Sequence, residues 1–410
     1  MSAPSKKTKL LKLFLFLAFG TAFAAPDEDL LGKAQGYPVC KQARLGISEP
    51  HCLVGNLSHY DEVVPARVVK AASPRALKRS ASAPQLSYLH NAAARNVESF
   101  LANNRNTGLL VMKGDTILVE RYQYDRKAED RFQSYSMAKT VVAMLVGVAL
   151  SDKKISSIDD LAGKYVPELK GHPYGETRLR HLLTMSSGVQ FREDYDGSDD
   201  VTLLARRTLG HEGPGGVDTV LPFTQRARPA GEKFVYASAE SQVLALVVRN
   251  AVGKPLAEYL SEKIWRPMGA EADATWLVDA GGYELGYMGL NATLRDWGRL
   301  GALLANYGAV DGKQLIPAAW VKAMTTPDAP HLERGVVSKF NGYGYQTWLI
   351  GNTYKGFALF GVRGQSIFID PETKLVIVHT AVHANYRDPA RDEQFAFFFG
   401  ALRSLKDKDL

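Results

Sequence analysis

The sequence predicts an α/β fold of the α+β type: a mainly antiparallel sheet flanked by helices, with a helical lobe inserted into it. Three observations carry that expectation. β-rich runs gather at two distant places, "TGLLVMKGDTILVERYQYD" from Thr107 and the series "YGYQTWLI", "GFALFGV", "QSIFID" and "KLVIVHTAV" from Tyr343 onward. The stretch between them, residues 140–335, is mostly of helical spacing, as in "AESQVLALVVRNAV" and "LRDWGRLGALLANYG". Strands at both ends of a helical block are expected to share one sheet.

The elements follow in order. The chain has 410 residues, 46% hydrophobic and 23% charged, which suits a globular protein with a large core and excludes bulk disorder. At its start, "KKTKLLKLFLFLAFGTAFAAPDE" sets a basic segment (Lys6, Lys7, Lys9, Lys12) before an apolar run from Leu13 to Phe23. Ala22-Phe23-Ala24 is a small-x-small cleavage site, so residues 1–24 read as a secretory signal peptide and the mature protein as periplasmic or secreted. The run is too short to span a bilayer comfortably, and no stable membrane association is expected after processing. Cleavage removes four lysines and no acid, taking the formal charge from +7 to +3. A charge that small gives no reason to expect nucleic acid as a partner.

Two cysteines, Cys40 and Cys52, follow the cleavage site. In an oxidising compartment they are expected to form a disulfide. A zinc site with His51 is the weaker reading, because the paired spacing is absent. Residues 25–95 form a mixed, polar extension whose Ala-, Ser- and Pro-rich "ARVVKAASPRALKRSASAPQ" suggests a linker or surface-wrapping arm. The catalytic-size domain is expected over 96–410. From Asn91 the pattern tightens: "NAAARNVESFLANN" has helical spacing and leads into a hairpin turning at Lys113-Gly114-Asp115. The domain closes on the helix "RDEQFAFFFGALRSL".

The chemistry-bearing segment is "FQSYSMAKTVVAMLVGVAL". Ser136 stands where the helix begins and Lys139 lies three residues on, on the same face of the first turn. Either Ser136 is an N-cap with a solvated lysine behind it, or the two are a nucleophile and its base. Backbone N–H groups at a helix start favour an oxyanion, and apolar neighbours lower a lysine's pKa. The spacing alone decides nothing, since Ser151-Asp152-Lys153-Lys154 repeats it at the polar end of the same helix. Two further segments qualify it. "FVYASAESQ" places Tyr236 two residues before Ser238 at another helix start, and "LFGVRGQSIFID" interrupts a β-rich run with Gly361 and Gly364. Glycine there implies either a bulge or the close approach of a ligand or another backbone.

In this order and at these separations, the three segments resemble the serine β-lactamase and penicillin-recognising superfamily. The resemblance is greatest to its class C-like branch, which holds esterases and the 6-aminohexanoate-dimer hydrolases. It extends from about residue 95 to 400 through "YVPELKG", "LRHLLTMSSGVQFREDY", "IWRPMGAEADATW" and "MGLNATLRDWGRLGALLANYG". It implies a β-lactamase-like fold, Ser136 as the acylated nucleophile, Lys139 as its base and Tyr236 as proton carrier to the leaving group. It further implies an oxyanion hole from the backbone N–H groups of Ser136 and Val362, the latter just past Gly361 on an edge strand. Tyr195 would contact the scissile amide or leaving nitrogen, and Ser238 and Gly361 would line the substrate site. The substrate implied is a small-molecule amide or ester, with no cofactor and no metal. A carboxylesterase, a β-lactamase or penicillin-binding protein and a catalytically silent binding protein are the alternatives. The sequence says nothing of oligomeric state.

Two departures matter. Tyr236-Ala237-Ser238 replaces the Tyr-x-Asn of lactamases, and Leu359-Phe360-Gly361 replaces Lys-Thr-Gly, removing a carboxylate-binding cation. The wall beside this strand is therefore expected to be apolar, and substrates to be neutral there. His379 and His383 have a metal-chelating helical spacing, but on a strand they would lie about 13 Å apart, too far for one ion. The sequence lacks the Gly-x-Ser-x-Gly nucleophile elbow and any phosphate-binding glycine loop.

Overall fold

The hairpin at Gly114-Asp115 starts the architecture. In the computed structural model, which describes residues 24–42, 49–351 and 354–405, the turn closes on the pair Lys113↔Thr116, with Gly114 in the left-handed region (φ 59°). All of the expected signal peptide but Ala24 lies outside the described residues. No helix among the described residues is long and apolar enough to cross a membrane.

The main sheet has eight strands: β1 (Lys78–Arg79), β2 (Asn106–Lys113), β3 (Thr116–Tyr122), β4 (Asn341–Tyr343), β5 (Trp348–Ile350), β6 (Phe357–Gly361), β7 (Gln365–Asp370) and β8 (Leu375–Ala381). Their spatial order is β4-β5-β6-β7-β8-β2-β3-β1. The two ends of the chain do share this sheet: β8 lies antiparallel to β2, with His379 opposite Leu109. All pairs are antiparallel except β1 with β3. Side chains of β2 alternate between two cores. Leu110 and Met112 join Trp297, Leu300 and Val376 on one face; Leu109 and Val111 join Phe368, Phe397 and Phe398 on the other. Burial of both faces explains why these strands read as unbroken apolar runs.

Four helices frame the site: α1 (Met137–Ser151), α2 (Ser238–Val252), α3 (Leu294–Ala305) and α4 (Ala390–Leu405). From Met137 to Ala149, α1 is buried on every side, so it is a core helix rather than an amphipathic one. A buried valine or leucine on it, such as Val142 or Leu145, contributes roughly 1.5–3 kcal/mol by leaving water. A charge in place of either would break the helix's seat against α2.

The extension is tied into both sheets. Residues Ala66–Val69 pair with Ala274–Leu277 in a second, four-stranded sheet, and Lys78–Arg79 extends the first. Cys40 and Cys52 face each other with Cα atoms 5.7 Å apart. Asn56 accepts from the Cys40 N–H (2.7 Å) and donates to its carbonyl (3.2 Å), holding the two segments together. The His51 ring lies close enough that its nitrogen and the two sulfurs all fall within 4.8 Å of one another.

Two local expectations fail. "NAAARN" is not helical: Ala93–Asn96 is a strand against Ser87–His90, and the helix starts only at Val97. Asn96 is the reason, because its side chain accepts from Ser99 N (2.9 Å) while Ser99 Oγ accepts from Asn96 N (2.8 Å). That reciprocal box ends the strand and opens the helix in one step. His379 and His383 are also closer than a continuous strand allows, with ring centroids 6.0 Å apart. The strand shifts register between Thr380 and Ala381 and stops there, so His383 folds back.

Candidate active site

Ser136 is held by a turn that is strained before the helix starts. Tyr135 has φ 43°, a region that costs a non-glycine residue energy unless its surroundings enforce it. They do: the Gln133 side chain accepts from Tyr135 N (2.6 Å), while Ser134 N donates to Leu290 O (2.9 Å) and Leu290 N donates to Ser134 Oγ (3.1 Å). Ser136 occupies the N-cap position of α1, but its side chain makes no capping bond. Instead Lys139 Nζ lies 3.1 Å from its Oγ. Of the two readings of Ser-x-x-Lys, the ordinary cap is therefore the one the geometry rejects.

Lys139 is 1% exposed, yet its nitrogen is fully engaged. Beyond Ser136 it reaches Ser238 Oγ (2.9 Å) and the carbonyl of Tyr287 (3.0 Å). The rings of Tyr236 and Tyr287 flank it at 5.1 and 5.4 Å. Burial lowers its pKa to about 8, against the opposing pull of Glu193. About a tenth of it is then neutral at pH 7, against well under a thousandth for a free lysine, as a base requires. The Tyr236 phenol and the Ser136 side chain border the same cavity. Burial, reinforced by Glu193, raises the Tyr236 pKa far above the usual phenol range, so it is a proton donor at rest. Trp348 stacks on its ring (5.6 Å, 26°) and fixes its plane.

Gly361 meets the close-approach reading. A Cβ there would lie 2.4 Å from Ser134 O and 3.0 Å from Tyr135 Cβ, so only glycine lets β6 press against the Ser136 turn. β6 is not an edge strand, which corrects the expectation. It pairs with β5 through Phe357 and Ala358 alone, and Leu359–Gly361 run on past that pairing toward Ser136. Among the described residues, the Ser136 and Val362 amides make no backbone hydrogen bond, and both residues line the cavities beside Ser136. An acyl oxyanion needs two such N–H groups aimed at one point.

The sequence reading missed Glu193. Its carboxylate accepts from Ser238 N (2.8 Å), from Ser238 Oγ (2.8 Å) and from Tyr195 Oη (2.6 Å). It thus caps α2 from outside, in place of the N-cap residue Ala237, whose side chain makes no cap. It also stands second in line behind Lys139 through Ser238. "FREDY" drew attention to Tyr195 but carries no periodic signal that marks its glutamate. Tyr195 is brought to the site, 39% exposed and strained (φ 58°), with both its own N–H and that of Asp194 held by the Asp199 carboxylate. The Tyr287 contribution is a backbone carbonyl, for which side-chain identity gives no signal.

Two cavities meet at Ser136. One, of about 360 Å³, has mainly apolar walls that include Val201, Ala205, Leu209 and Met288. The other, of about 210 Å³, is lined by Tyr236, Phe360, His383, Asn385, Asp388 and Arg391 among others. Tyr195 and Val362 border both. The third-motif wall is apolar in β6 itself, with Leu359 fully buried and Phe360 facing the second cavity. Its expected lack of a cation is overturned by α4: the Arg391 guanidinium lies 4.5 Å from the centre of the Phe360 ring.

Comparison with known proteins finds relatives over most of the chain. The β-lactamase family model matches residues 93–401. The 6-aminohexanoate-dimer hydrolase of Paenarthrobacter ureafaciens is 28% identical over 292 residues, 69% of this chain and 74% of that protein. A Bacillus anthracis structure, provisionally assigned as a 6-aminohexanoate-dimer hydrolase, superposes with TM-score 0.80 at 24% identity, covering 91% of this chain and 98% of that one. A family VIII carboxylesterase structure has TM-score 0.58 at 17% identity, over 75% and 96% of the two chains. At such identities the structures speak to the fold alone.

Proposed function

The chain belongs to the β-lactamase family, and on that footing we propose that it hydrolyses a small-molecule amide or ester through an acyl-enzyme on Ser136. The observation that carries this reading is the buried Lys139 amine, 3.1 Å from Ser136 Oγ with its pKa lowered to about 8. In its neutral form Lys139 takes the Ser136 proton as Oγ attacks the carbonyl carbon. The negative charge moves to the carbonyl oxygen, between the Ser136 and Val362 N–H groups. Collapse of this intermediate breaks the bond to nitrogen or oxygen, and Tyr236 gives its proton to the departing atom. Lys139 returns a proton to Tyr236, and water then repeats the sequence on the ester. Likeness to 6-aminohexanoate-dimer hydrolase favours a linear amide.

Fluorophosphonate labelling tests the acyl-enzyme directly. The wild-type protein should label on Ser136 and the Ser136→Ala protein should not; equal labelling of both sinks the assignment. Rates on a linear aminohexanoate amide, a p-nitrophenyl ester of matched acyl part and nitrocefin then separate amidase, esterase and lactamase.

Export and a Cys40–Cys52 disulfide are part of the same proposal. They are supported by the basic and apolar segments ahead of Ala22-Phe23-Ala24 and by the facing cysteines. Intact mass of the processed protein, with and without reductant, should show a start near Ala25 and a two-hydrogen difference. Two free thiols, or an unprocessed chain, count against it.

A further inference from the structure

The two cavities at Ser136 need not serve the same half of the substrate. The departing atom takes its proton from Tyr236, which borders the smaller cavity and not the apolar one. The acyl part therefore enters the apolar cavity of about 360 Å³.

The walls of that cavity differ in depth. Gly197 and Arg206 are exposed and form its mouth, whereas Tyr60, Val201, Leu209 and Tyr287 are buried and form its inner end. Of these inner residues, Tyr60 comes from the extension and lies outside residues 93–401, the span that matches the β-lactamase family. It is 2% exposed, and burial holds its phenol well above the usual pKa, so it presents a neutral ring.

Tyr60 is firmly seated. Tyr60–Glu62 forms a single helical turn, and the N–H groups of Val63 and Val64 both donate to the Tyr60 carbonyl (3.0 Å each). The next side chain, Asp61, accepts from Arg131 Nε (3.0 Å) and from Thr275 Oγ1 (2.9 Å). Arg131 directly precedes the strand Phe132–Gln133 that leads into the Ser136 turn, so this ion pair ties Tyr60 to the segment carrying the nucleophile. The extension touches the turn again at Tyr135, which packs on the cluster of Cys40, Cys52, Leu53 and Leu57. A segment expected to be a linker or wrapping arm is thus packed against the active-site turn.

We propose that Tyr60 is a specificity-determining residue, the block that sets how long an uncharged acyl chain the enzyme accepts. The proposal rests on the hydrolase reading above and deepens it. The substrate class is an amide or ester of a medium-chain aliphatic acid, its hydrocarbon tail ending against the Tyr60 ring. An apolar cavity of about 150 Å³ holds benzene, so one of about 360 Å³ has room for a chain of roughly ten carbons. Each methylene that leaves water there favours reaction by roughly fourfold, until the chain meets the ring.

The test is kcat/KM across p-nitrophenyl esters from acetate to dodecanoate. For the unmutated enzyme it should rise to a maximum near octanoate and fall by dodecanoate. Tyr60→Ala should raise the dodecanoate-to-octanoate ratio by about tenfold, and Tyr60→Trp should move the maximum to a shorter chain. Tyr60→Phe, which keeps the ring, should keep the wild-type ratio. A general loss of activity does not disturb such a ratio, and Tyr60→Leu replaces the alanine variant if that one does not fold. A profile that is the same without the ring, or that Tyr60→Phe shifts as far as Tyr60→Ala does, overturns the assignment. Absent turnover of every ester and absent fluorophosphonate labelling would instead overturn the hydrolase reading. The role of Tyr60 is then decided by equilibrium binding of N-ethyloctanamide and N-ethyldodecanamide to the same variants, whose ratio should shift in the same direction; an unshifted ratio overturns it.

Discussion

Helix α1 carries Ser-x-x-Lys at both of its ends, and the two copies behave in opposite ways. At the start, Ser136 follows a strained turn, and Lys139 is buried among Ser238, the Tyr287 carbonyl and two aromatic rings. At the end, Ser151 and Lys154 are both exposed in the turn that closes the helix. The spacing brings serine and lysine to one face in either case. What differs is the company: helix dipole, burial and a third hydrogen-bonding group are present only at the first copy. Reactivity here is a property of surroundings that other elements bring, since Ser238 lies about 100 positions away in the chain from Lys139.

That contrast can be tested at graded strength. Ser136→Ala should have the largest effect, lowering kcat/KM by at least about 10⁴-fold, or about 5.4 kcal/mol of transition-state stabilisation. Residual turnover within tenfold of wild type would remove Ser136 from the chemistry. Lys139→Met keeps the length and apolar packing and removes the base, so a loss on the order of 10³-fold is expected with the fold retained by circular dichroism. Gly361→Ala acts through the backbone. Its Cβ would press on Ser134 O, so β6 must withdraw, costing about 1–3 kcal/mol of stability and lowering kcat as the Val362 N–H moves off target. Wild-type Tm and kcat together would show that the close approach is dispensable.

Glu193→Gln is the subtler test. In the wild type, kcat/KM should rise with pH as Lys139 loses its proton near pH 8. Glu193 favours the charged lysine, so replacing the carboxylate by an amide should lower the lysine pKa and shift that limb to lower pH. A limb that stays in place, or moves upward, would disconnect Glu193 from Lys139. The smallest effect belongs to the second copy. Ser151→Ala and Lys154→Ala should each leave kcat/KM unchanged and stability within about 0.5 kcal/mol.

Much of this arrangement is legible in the sequence, and the rest is hidden for physical reasons. Ser136 and Lys139 announce themselves because one helical turn fixes their relation, and Tyr236 because a family pattern orders the segments. Glu193 and Arg391 carry no such mark. Each lies in a loop or at a helix start whose place is set by tertiary packing, and Arg391 reaches the site only because α4 crosses behind Phe360. The sheet was readable from its apolar runs, but the end of β8 at Ala381 was not, so the two histidines were expected too far apart. Asn96 shows the opposite case, a local signal that is present: a capping box inside a run of helical spacing.

The pairing of β8 with β2 also bears on how the chain reaches this state. His379 stands opposite Leu109, 270 positions earlier, so the middle of the sheet cannot form until nearly the whole chain is available. Closing so long a loop costs entropy before any contact rewards it, which makes folding slow and non-local. β6, which carries Gly361 and leads to Val362, is joined to β2 only through β7 and β8. The amide that would complete the oxyanion site is therefore tied to the β2 side of the sheet only through this long-range pairing. A chain truncated before residue 375 would retain Ser136 and Lys139 in sequence but lack the strand that ties their partner wall to the rest of the sheet.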